Sequence, residues 1–312
     1  MTGLQMVYKL REGKVYDKRK QRPVRAREVS MKTGLVLEGG ALRAIFSSGV
    51  CDGLLDGGVM TDYVIGVSAG IAYGVSYVSR QPRRNLEVVT RFAPDRRYMG
   101  LRNLADRDNR SYFGLKFAYG TIPNELVPFD YDAFEAFPGE VEAVVTNLNT
   151  GRADYLPVPR RDEEAVVLQA SCAMPLLFPI FKIHGQPYLD GGIGDAIPWQ
   201  RALDKCDRVI VVLTRPRSYR RKPDRMIKLI RKRYRDYPNF VAAMEGRAEA
   251  YNRDRAELFQ AEREGRLLVV APKSTLGVSR TERDTEKLRL LWAEGYQTAV
   301  DRMEAIRDYL RG

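Results

Sequence analysis

The order of apolar and polar positions predicts alternating strands and helices in the first third of the chain. Residues 33–40, TGLVLEGG, form a short apolar run that ends in glycines, which is typical of a buried strand. Residues 63–67, YVIGV, are a second such run, and residues 68–80 after it have helical spacing. Between the two runs, apolar side chains recur on one helical face at Leu42, Ile45, Phe46, Val50, Leu54 and Leu55. This strand–helix–strand–helix order predicts a mostly parallel sheet covered by helices.

The alternation continues after an irregular stretch. Residues 82–138 are rich in Arg, Asp, Asn, Tyr and Pro and predict an insertion with short helices, suited to a substrate entrance. The next segments predict, in chain order, a hairpin with its turn at 147–151, a helix capped by Asp162 that runs to Pro175, a strand that ends in 187–192, a helix at 195–207 and a β-branched strand at 208–216. Beyond Pro216 the pattern predicts a basic helix, a long helix at 238–265, a strand at 266–272 and a final pair of helices.

Composition excludes several classes of protein. The charge-free stretches 63–79 and 165–181 are shorter than a typical membrane span and are interrupted by glycines or prolines. The basic N-terminal segment has no apolar core of a secretory signal. Three widely separated cysteines, without a CxxC pair, exclude a disulfide scaffold or a Cys-rich zinc site. We therefore expect a cytoplasmic protein.

The net charge of +12 is concentrated in two segments. Residues 1–32 contain ten Lys/Arg and three acids, and residues 215–235 contain eleven Lys/Arg and one acid. Such segments suit an anionic membrane or an acidic partner, or are simply solvated charged segments. The second segment has a helical apolar face, which predicts peripheral contact with an anionic membrane or packing on the core. Nucleic acid is the weaker expectation, because no nucleic-acid-binding motif accompanies the charge. The apolar face of the second segment consists of Met226, Leu229, Ile230 and Tyr234 or Tyr237.

Ser68 lies in Gly66-Val67-Ser68-Ala69-Gly70, directly after the second predicted strand. A tight strand-to-helix turn lifts a serine side chain away from the sheet, and β-carbons at Gly66 and Gly70 would collide with neighbouring backbone. The amino end of the following helix favours negative charge at this point. The pattern predicts a nucleophilic serine. The alternative is a packing turn in which Ser68 only caps the helix.

A nucleophilic serine needs a group to take its proton, and the chain has one histidine, His184. His184 lies between two predicted strand segments, where a structural role is more common. Asp190, at the end of an apolar segment and followed by Gly191 and Gly192, is the best placed carboxylate base. Asp195 is expected to cap the next helix instead.

A glycine loop follows the first predicted strand. Gly39 and Gly40 allow close backbone approach, and amides around Gly40 and Ala41 are candidate donors to an oxyanion. Arg43 would fix that loop or add positive charge. A phosphate-binding loop or an ordinary strand–helix turn has a similar sequence.

Taken in order, the glycine loop with Arg43, the Ser68 motif and Asp190-Gly191-Gly192 resemble the patatin-like phospholipase family. Residues 170–181 also resemble the family's segment before its aspartate, and the likeness extends over about 33–216. Residues from Tyr237 onward resemble the C-terminal part of a bacterial subfamily. The resemblance implies a Ser68–Asp190 dyad without histidine, an oxyanion hole formed by the 39–43 loop, an acyl-enzyme intermediate, and chemistry that needs no metal or cofactor.

The glycine loop departs from the family pattern at two positions. The family usually has Gly-Gly-Gly-x-Arg-Gly, whereas alanines occupy positions 41 and 44 here. If position 41 requires a positive φ, alanine costs about 1 kcal/mol there. A displaced oxyanion donor would lower the rate by about a hundredfold or more.

These observations predict a three-layer α/β/α patatin-like domain with a mostly parallel sheet at 33–216. A basic, flexible tail would precede it at 1–32, and a mainly helical extension packed on it would follow at 217–312. The expected function is hydrolysis of a lipid acyl ester of the phospholipase A or lysophospholipase type, at a membrane surface. The alternatives are a soluble carboxylesterase or thioesterase, and a weakly active lipid-binding or regulatory relative.

Overall fold

The computed structural model describes residues 8–11, 14–17 and 31–312. The chain divides into two compact units, Met1–Met31 and Lys32–Gly312. In the described part, the strands are β1 Tyr8–Arg11, β2 Lys14–Asp17, β3 Thr33–Leu37, β4 Tyr63–Val67, β5 Glu140–Asn147, β6 Ala153–Pro157, β7 Phe181–Ile183, β8 Gln186–Asp190, β9 Arg208–Val212 and β10 Leu268–Val270.

Helices fill most of the intervals between these strands. The α-helices are α1 Ile45–Asp56, α2 Ala69–Val78, α3 Arg84–Phe92, α4 Leu101–Ala105, α5 Tyr131–Glu135, α6 Val166–Ser171, α7 Trp199–Leu203, α8 Ile227–Arg233, α9 Pro238–Arg263, α10 Thr285–Asp301 and α11 Met303–Arg311. Short 3₁₀-helices span Ala41–Ala44 and Gly191–Ile193, and a π-helix spans Phe117–Leu126.

In the first unit, β1 and β2 pair in antiparallel register. The apolar and polar positions of this segment have no strand periodicity, so the sequence pattern did not predict these two strands. Antiparallel backbone pairing does not need an alternating apolar face, which is why the pattern gave no signal. The flexibility predicted for the rest of the tail concerns residues 1–7, 12–13 and 18–30, which lie outside the described residues.

The second unit is built on a mixed sheet with the order β10-β9-β3-β4-β5-β8-β7, and β6 also pairs with β5. Pairs from β10 to β5 are parallel, whereas β6, β8 and β7 join in antiparallel register. The sheet is therefore parallel over its larger part, as the alternation of strands and helices predicted.

Helices cover both faces of this sheet, which confirms the predicted α/β/α class. Leu35 and Leu37 of β3 face a core shared with α1, α2, α3 and α10. Val36, between them, faces the opposite core, to which α7 and α9 contribute. Successive side chains on a strand point to opposite faces, so a strand buried on both sides is apolar at every position.

The segment after 216 belongs to the same compact unit as the segment before it. Strand β10 pairs with β9 at one edge of the sheet, and α10 packs along α1. The predicted boundary at 216 does not separate two compact bodies, because residues beyond it complete both the sheet and one helical layer. No helix in the described residues is both long enough and apolar enough to cross a membrane.

One helix differs from its prediction. The segment after Asp162 was expected to be helical up to Pro175, but α6 covers only Val166–Ser171. The Asp162 carboxylate accepts bonds from the N–H groups of Glu164, Ala165 and Val166. It therefore stabilises a turn ahead of the helix, and Ala165 adopts a left-handed φ of 52° between that turn and α6.

Candidate active site

Ser68 lies at the turn between β4 and α2, as the motif predicted. Its φ of 54° and ψ of −133° are unfavourable for a residue with a side chain, and such conformations cost about 1–3 kcal/mol. The Ser68 N–H donates to Oγ of Ser171 at 2.8 Å, and that hydroxyl donates to the carbonyl of Val144 at 2.7 Å. Ser171 thus fixes the strained turn to β5. Sequence analysis missed this residue, although it lies inside the segment 170–181 that carried part of the resemblance.

The two glycines of the motif are required by close packing. A β-carbon at Gly66 would lie 2.8 Å from the amide nitrogen of Ile71, and one at Gly70 would lie 2.5 Å from the carbonyl oxygen of Leu37. Both distances are shorter than carbon contacts in folded proteins, so any side chain would displace the backbone around Ser68. The predicted reason for these glycines is confirmed.

Asp190 is brought to Ser68 by the register of two strands on β5. Val67, the last residue of β4, pairs with Val144, and Asp190, the last residue of β8, pairs with Val145. The two strands therefore end against consecutive residues of β5. Ser68 and Asp190 line the same cavity and are each less than one-tenth exposed.

The Asp190 side chain is held by its neighbours. Its Oδ1 accepts from the N–H of Gly192 at 2.8 Å, and its own N–H donates to the carbonyl of Ala173 at the same distance. A β-carbon at Gly191 would lie 2.1 Å from the carbonyl oxygen of Val144, so glycine is required beside the aspartate. The glycines that follow Asp190 thus let the chain turn tightly against β5.

Asp195 and His184 lie elsewhere. Asp195 accepts from the hydroxyl of Tyr155 at 2.9 Å and from the N–H of Ile197, and burial raises the pKa of its carboxyl. It does not cap α7, whose preceding residue is Pro198. His184 is exposed in the turn between β7 and β8, at the opposite end of β8 from Asp190. A strand advances about 3.3 Å per residue, so the length of β8 separates His184 from Asp190. This separation excludes direct contact between His184 and Ser68.

The glycine loop lies directly against Ser68. A β-carbon at Gly39 would be 2.8 Å from the carbonyl oxygen of Val67 and 3.0 Å from Cβ of Ser68. Ala41 has a φ of 48°, the left-handed conformation that the sequence analysis considered for this position. The N–H of Gly40 donates to no backbone carbonyl within 31–312, and the N–H of Ala41 opens the 3₁₀-helix without an intrahelical acceptor.

A buried carboxylate anchors the base of this loop. Oε2 of Glu38 accepts from the N–H of Thr214 at 2.6 Å, and Oε1 accepts from the hydroxyl of Tyr251. Thr214 also donates through its hydroxyl to the carbonyl of Gly39. These bonds connect the ends of β3 and β9 to α9. Sequence analysis missed Glu38. A charged residue directly after an apolar strand was the signal that could have identified it.

Arg43 is 6 % exposed, and its Nε has no hydrogen-bond partner in the described part of the chain. Its pKa is lowered to about 10 by burial and by the neighbouring cations Arg215 and Arg280. At neutral pH the guanidinium is therefore still charged. It adds positive potential beside the glycine loop.

Two cavities meet at Ser68. The first, which we call the apolar cavity, encloses about 1230 Å³ including the part open to solvent. It lies between α2 and the insertion 82–138, which supports the predicted position of that insertion at an entrance. Its wall includes Ala41, Ser68, Tyr73, Val88, Phe113, Tyr119, Ile122, Cys172, Met174 and Phe178.

The second, which we call the arginine cavity, encloses about 1060 Å³ including the part open to solvent. It shares Ala41, Ser68 and Met174 with the apolar cavity. Its charged lining consists of Glu38, Arg43, Asp190, Arg221, Asp224, Arg247 and Arg280. Of these, the three arginines beyond 216 were missed by sequence analysis, because nothing in the local pattern distinguishes them from solvated cations.

Cys172 lines the apolar cavity together with Ser68. Burial raises the pKa of its thiol to about 12, with smaller effects from Tyr119, Asp190 and Ser68. The sulfur therefore stays protonated at neutral pH and acts as an apolar wall of the site. Within 31–312, no group of His, Cys, Asp and Glu side chains is arranged to hold a metal ion.

The basic helix α8 borders the arginine cavity. Ile230 and the following Tyr234 are 2 % exposed and pack on the core, and the Tyr234 hydroxyl accepts from the N–H of Leu176 at 3.0 Å. Met226 and Leu229 are 50 % and 45 % exposed. The apolar positions predicted for one face are thus divided between the core and the surface. The core-packing alternative holds for only half of them.

Comparison with known proteins agrees with this architecture. A family model described as patatin-like phospholipase matches residues 35–203, and a model described as a domain of unknown function, DUF6363, matches residues 237–311. "Uncharacterized protein YjjU" of Escherichia coli (strain K12) is 26% identical over 199 residues, which cover 58% of this chain and 51% of that protein. This chain therefore spans about half the length of that curated relative.

A solved structure, that of VipD from Legionella pneumophila, is similar with a TM-score of 0.43 and 16% sequence identity. The match covers 88% of this chain and 67% of that one. The patatin-like model alone extends over more than half of the chain and includes the glycine loop, Ser68 and Asp190. On this evidence the chain belongs to the patatin-like phospholipase family, which at the family level comprises lipid acyl hydrolases.

Proposed function

We propose that this protein is a serine lipid acyl hydrolase of the phospholipase A or lysophospholipase type. In this proposal Ser68 attacks the ester carbonyl and Asp190 takes the serine proton. The observation that carries it is the convergence of β4 and β8 on consecutive residues of β5, with a strained serine and a buried carboxylate in one cavity. A carboxylate that is largely buried and fixed by the N–H of Gly192 suits a base role without histidine.

The reaction would follow the usual two steps of acyl transfer. Attack by Oγ of Ser68 forms a C–O bond and moves the carbonyl electrons onto oxygen, where the N–H groups of the 39–43 loop stabilise the charge. Collapse releases the alcohol, which receives the proton held by Asp190, and leaves an acyl-serine. Water that gives its proton to Asp190 then attacks the acyl carbon, and the free acid and Ser68 are restored.

The apolar cavity supports a lipid acyl chain as the substrate group. Its wall combines aromatic and aliphatic side chains from α2, the insertion and the segment around Cys172, and it opens at Ser68. An acyl chain bound there would gain about 25 cal/mol of binding free energy for each Å² of apolar surface removed from water. A short acyl group would leave most of this wall uncovered, so the cavity favours a lipid ester over a small soluble ester or thioester.

A fluorophosphonate probe tests the nucleophile directly. The wild-type protein is expected to become labelled, and Ser68→Ala is expected to lose labelling together with about a thousandfold or more of the rate on nitrophenyl esters. Ser47→Ala is a matched control, because Ser47 is buried without a hydrogen-bond partner in the described chain. Labelling that persists in Ser68→Ala would reject the assignment. Equal inactivity of all variants on esters and phospholipids would favour a lipid-binding relative.

The base is tested by a pair of isosteric variants. Asp190→Asn keeps the shape of the side chain but removes the proton acceptor, so kcat is expected to fall at least a hundredfold. Asp195→Asn is the control. The Asp195 carboxyl has a raised pKa, lies outside the arginine cavity and accepts a hydrogen bond from Tyr155, so this variant should retain most of the activity. A larger loss in Asp195→Asn than in Asp190→Asn would contradict the proposed base.

Peripheral membrane contact through 215–235 is part of the same proposal, because this cationic segment carries the exposed Met226 and Leu229, and Met226 also lines the arginine cavity. Leu229→Ser is expected to weaken binding to anionic vesicles about tenfold, since burial of a leucine side chain contributes about 1.5–3 kcal/mol. Leu290→Ser on α10 changes a leucine that is even more exposed, at 59 %, and should bind like wild type. Vesicle binding that does not depend on lipid charge or on salt concentration would contradict this contact.

A further inference from the structure

We propose that the arginine cavity is a head-group subsite that binds the phosphate group of the acyl-lipid substrate and favours head groups of net negative charge. This inference rests on the proposed function for the lipid, while the phosphate site itself is tested without catalysis. Arg221, Arg247 and Arg280 belong to the segment after 216, so that segment would select the substrate.

The position of the cavity relative to Ser68 is the first support. The arginine cavity and the apolar cavity share Ser68, Ala41 and Met174 at their junction. An ester carbonyl at Ser68 would therefore have an apolar chamber on one side and a cationic chamber on the other. A glycerophospholipid has the same arrangement, because only a few glycerol atoms separate its acyl ester from its phosphate.

The second support is that these cations have no carboxylate partners. In the described part of the chain, Arg43, Arg221, Arg247 and Arg280 form no salt bridge, whereas Arg217 of the same basic segment pairs with Glu262. Nε of Arg43 and Nη1 of Arg221 are buried without any hydrogen-bond acceptor. Unpaired buried donors of this kind are costly, so an anion bound beside these arginines would stabilise the folded protein.

In the described residues, the three acids of the cavity form no ion pair with its four arginines, and the lining keeps a formal net charge of +1. The Glu38 carboxylate is engaged by Thr214 and Tyr251, and Asp224 accepts from the N–H of Met226 at 2.8 Å. Asp190 is bound to the N–H of Gly192. Each acid thus has hydrogen-bond donors of its own, and the guanidinium groups remain available.

The guanidinium groups are also held in place and close to one another. Nε of Arg247 donates to the carbonyl of Gly192 at 2.8 Å, which puts this side chain two residues from Asp190. The Arg221 guanidinium lies over the ring of Tyr251 at 4.0 Å. Burial, with repulsion from Arg221 and Arg280, lowers the pKa of Arg247 to about 10. Such mutual repulsion is relieved when a phosphate binds between the cations.

Substrate selectivity is the first test. We would measure kcat/KM for a lysophospholipid with an anionic head group and for a monoacylglycerol of the same acyl chain, and take the ratio of the two. Arg221→Gln and Arg280→Gln are each expected to lower this ratio about tenfold, because each removes one charge-assisted bond to phosphate. Arg280 is exposed, so its variant is expected to fold even if Arg221→Gln does not.

The matched control is Arg266→Gln, which removes an exposed arginine of the segment after 216 that lies outside the cavity and outside the basic segment 215–235. It is expected to keep the wild-type ratio. An unchanged ratio in Arg280→Gln would overturn the subsite. An equal fall in Arg266→Gln would also overturn it and would indicate general surface electrostatics.

The second test uses the Ser68→Ala variant and does not depend on hydrolysis. Thermal denaturation in the presence of inorganic phosphate, and separately of a short-chain anionic lysophospholipid, is expected to show stabilisation that Arg280→Gln in the same background weakens severalfold. Stabilisation by the lysophospholipid at lower concentrations than by phosphate identifies a lipid head group as the source. Stabilisation by phosphate alone, or by neither, overturns the subsite whether or not Ser68 is a nucleophile.

Discussion

Single residues set the chemistry of this site through backbone conformation. Ser68 and Ala41 both have positive φ values, 54° and 48°, and a β-carbon at Gly39, between them in space, would touch Ser68. Two residues with side chains thus occupy a region of φ that favours glycine. Alanine at 41 is a departure from the family's loop, and its methyl group lies at the junction of the two cavities.

A pair of glycine substitutions tests the strain at position 41. Ala41→Gly relieves the left-handed conformation, so its free energy of unfolding should equal or exceed that of wild type. Ala44→Gly, at a φ of −65°, gains no such relief and should lose about 1 kcal/mol. Urea unfolding of both variants measures the difference. Equal destabilisation of the two would show that position 41 is not strained.

At the scale of elements, close helix packing joins the last third of the chain to the first. Gly49 and Gly53 of α1 face α10, and a β-carbon at Gly49 would lie 2.1 Å from the carbonyl oxygen of Trp292. Gly295 of α10 lies against α1 in the same way, and a β-carbon there would lie 2.1 Å from the carbonyl oxygen of Phe46. Two helices can approach this closely only where side chains are absent, so the two glycine-containing faces fit each other.

Gly295→Ala tests this contact. The added methyl group must displace the backbone of α1, and we expect a loss on the order of 3 kcal/mol in the free energy of unfolding. Gly246→Ala is the control, because a β-carbon at this position of α9 would have no atom within 4 Å, and alanine should stabilise that helix by about 0.5–1 kcal/mol.

The shape of the unfolding transition gives a second result from the same variant. If residues 32–312 unfold as one unit, Gly295→Ala shifts a single transition. A separate early transition confined to the C-terminal segment would contradict the single unit and restore the boundary predicted at 216.

At the scale of the whole molecule, buried acids connect stability to pH. Asp52 of α1 is 3 % exposed and accepts from Nε1 of Trp292 on α10 at 2.7 Å. Burial raises the pKa of its carboxyl from 3.8 to about 6. The folded state therefore holds this proton at a higher pH than the unfolded state. The resulting contribution to stability is present below about pH 4 and is lost as the pH rises through about 6.

Asp52→Asn removes this titration while keeping an acceptor for Trp292. The difference in unfolding free energy between variant and wild type should rise in favour of the variant by about 2 kcal/mol from pH 4 to pH 6. Glu304→Gln, an exposed acid on α11, should follow the wild-type curve. A difference that stays constant over this range would mean that Asp52 does not titrate as its burial implies.

The sequence by itself determined the elements that depend on local pattern. Strands β3, β4 and β9 and helices α1, α2 and α9 follow from apolar spacing, and the Ser68 turn follows from glycines at fixed positions around one serine. Such signals are local, since periodicity and turn chemistry act over a few residues. The ordered motifs were specific enough to indicate the family and the α/β/α class.

Only the tertiary structure decided which distant residues meet. The register of β4 and β8 on β5 places Asp190, rather than Asp195 or His184, in one cavity with Ser68. Packing of α9 and its neighbours against the sheet brings Arg221, Arg247 and Arg280 into a cavity that Ser68 also lines. Strand register and burial depend on contacts far apart in the chain, and no local spacing of apolar residues encodes them.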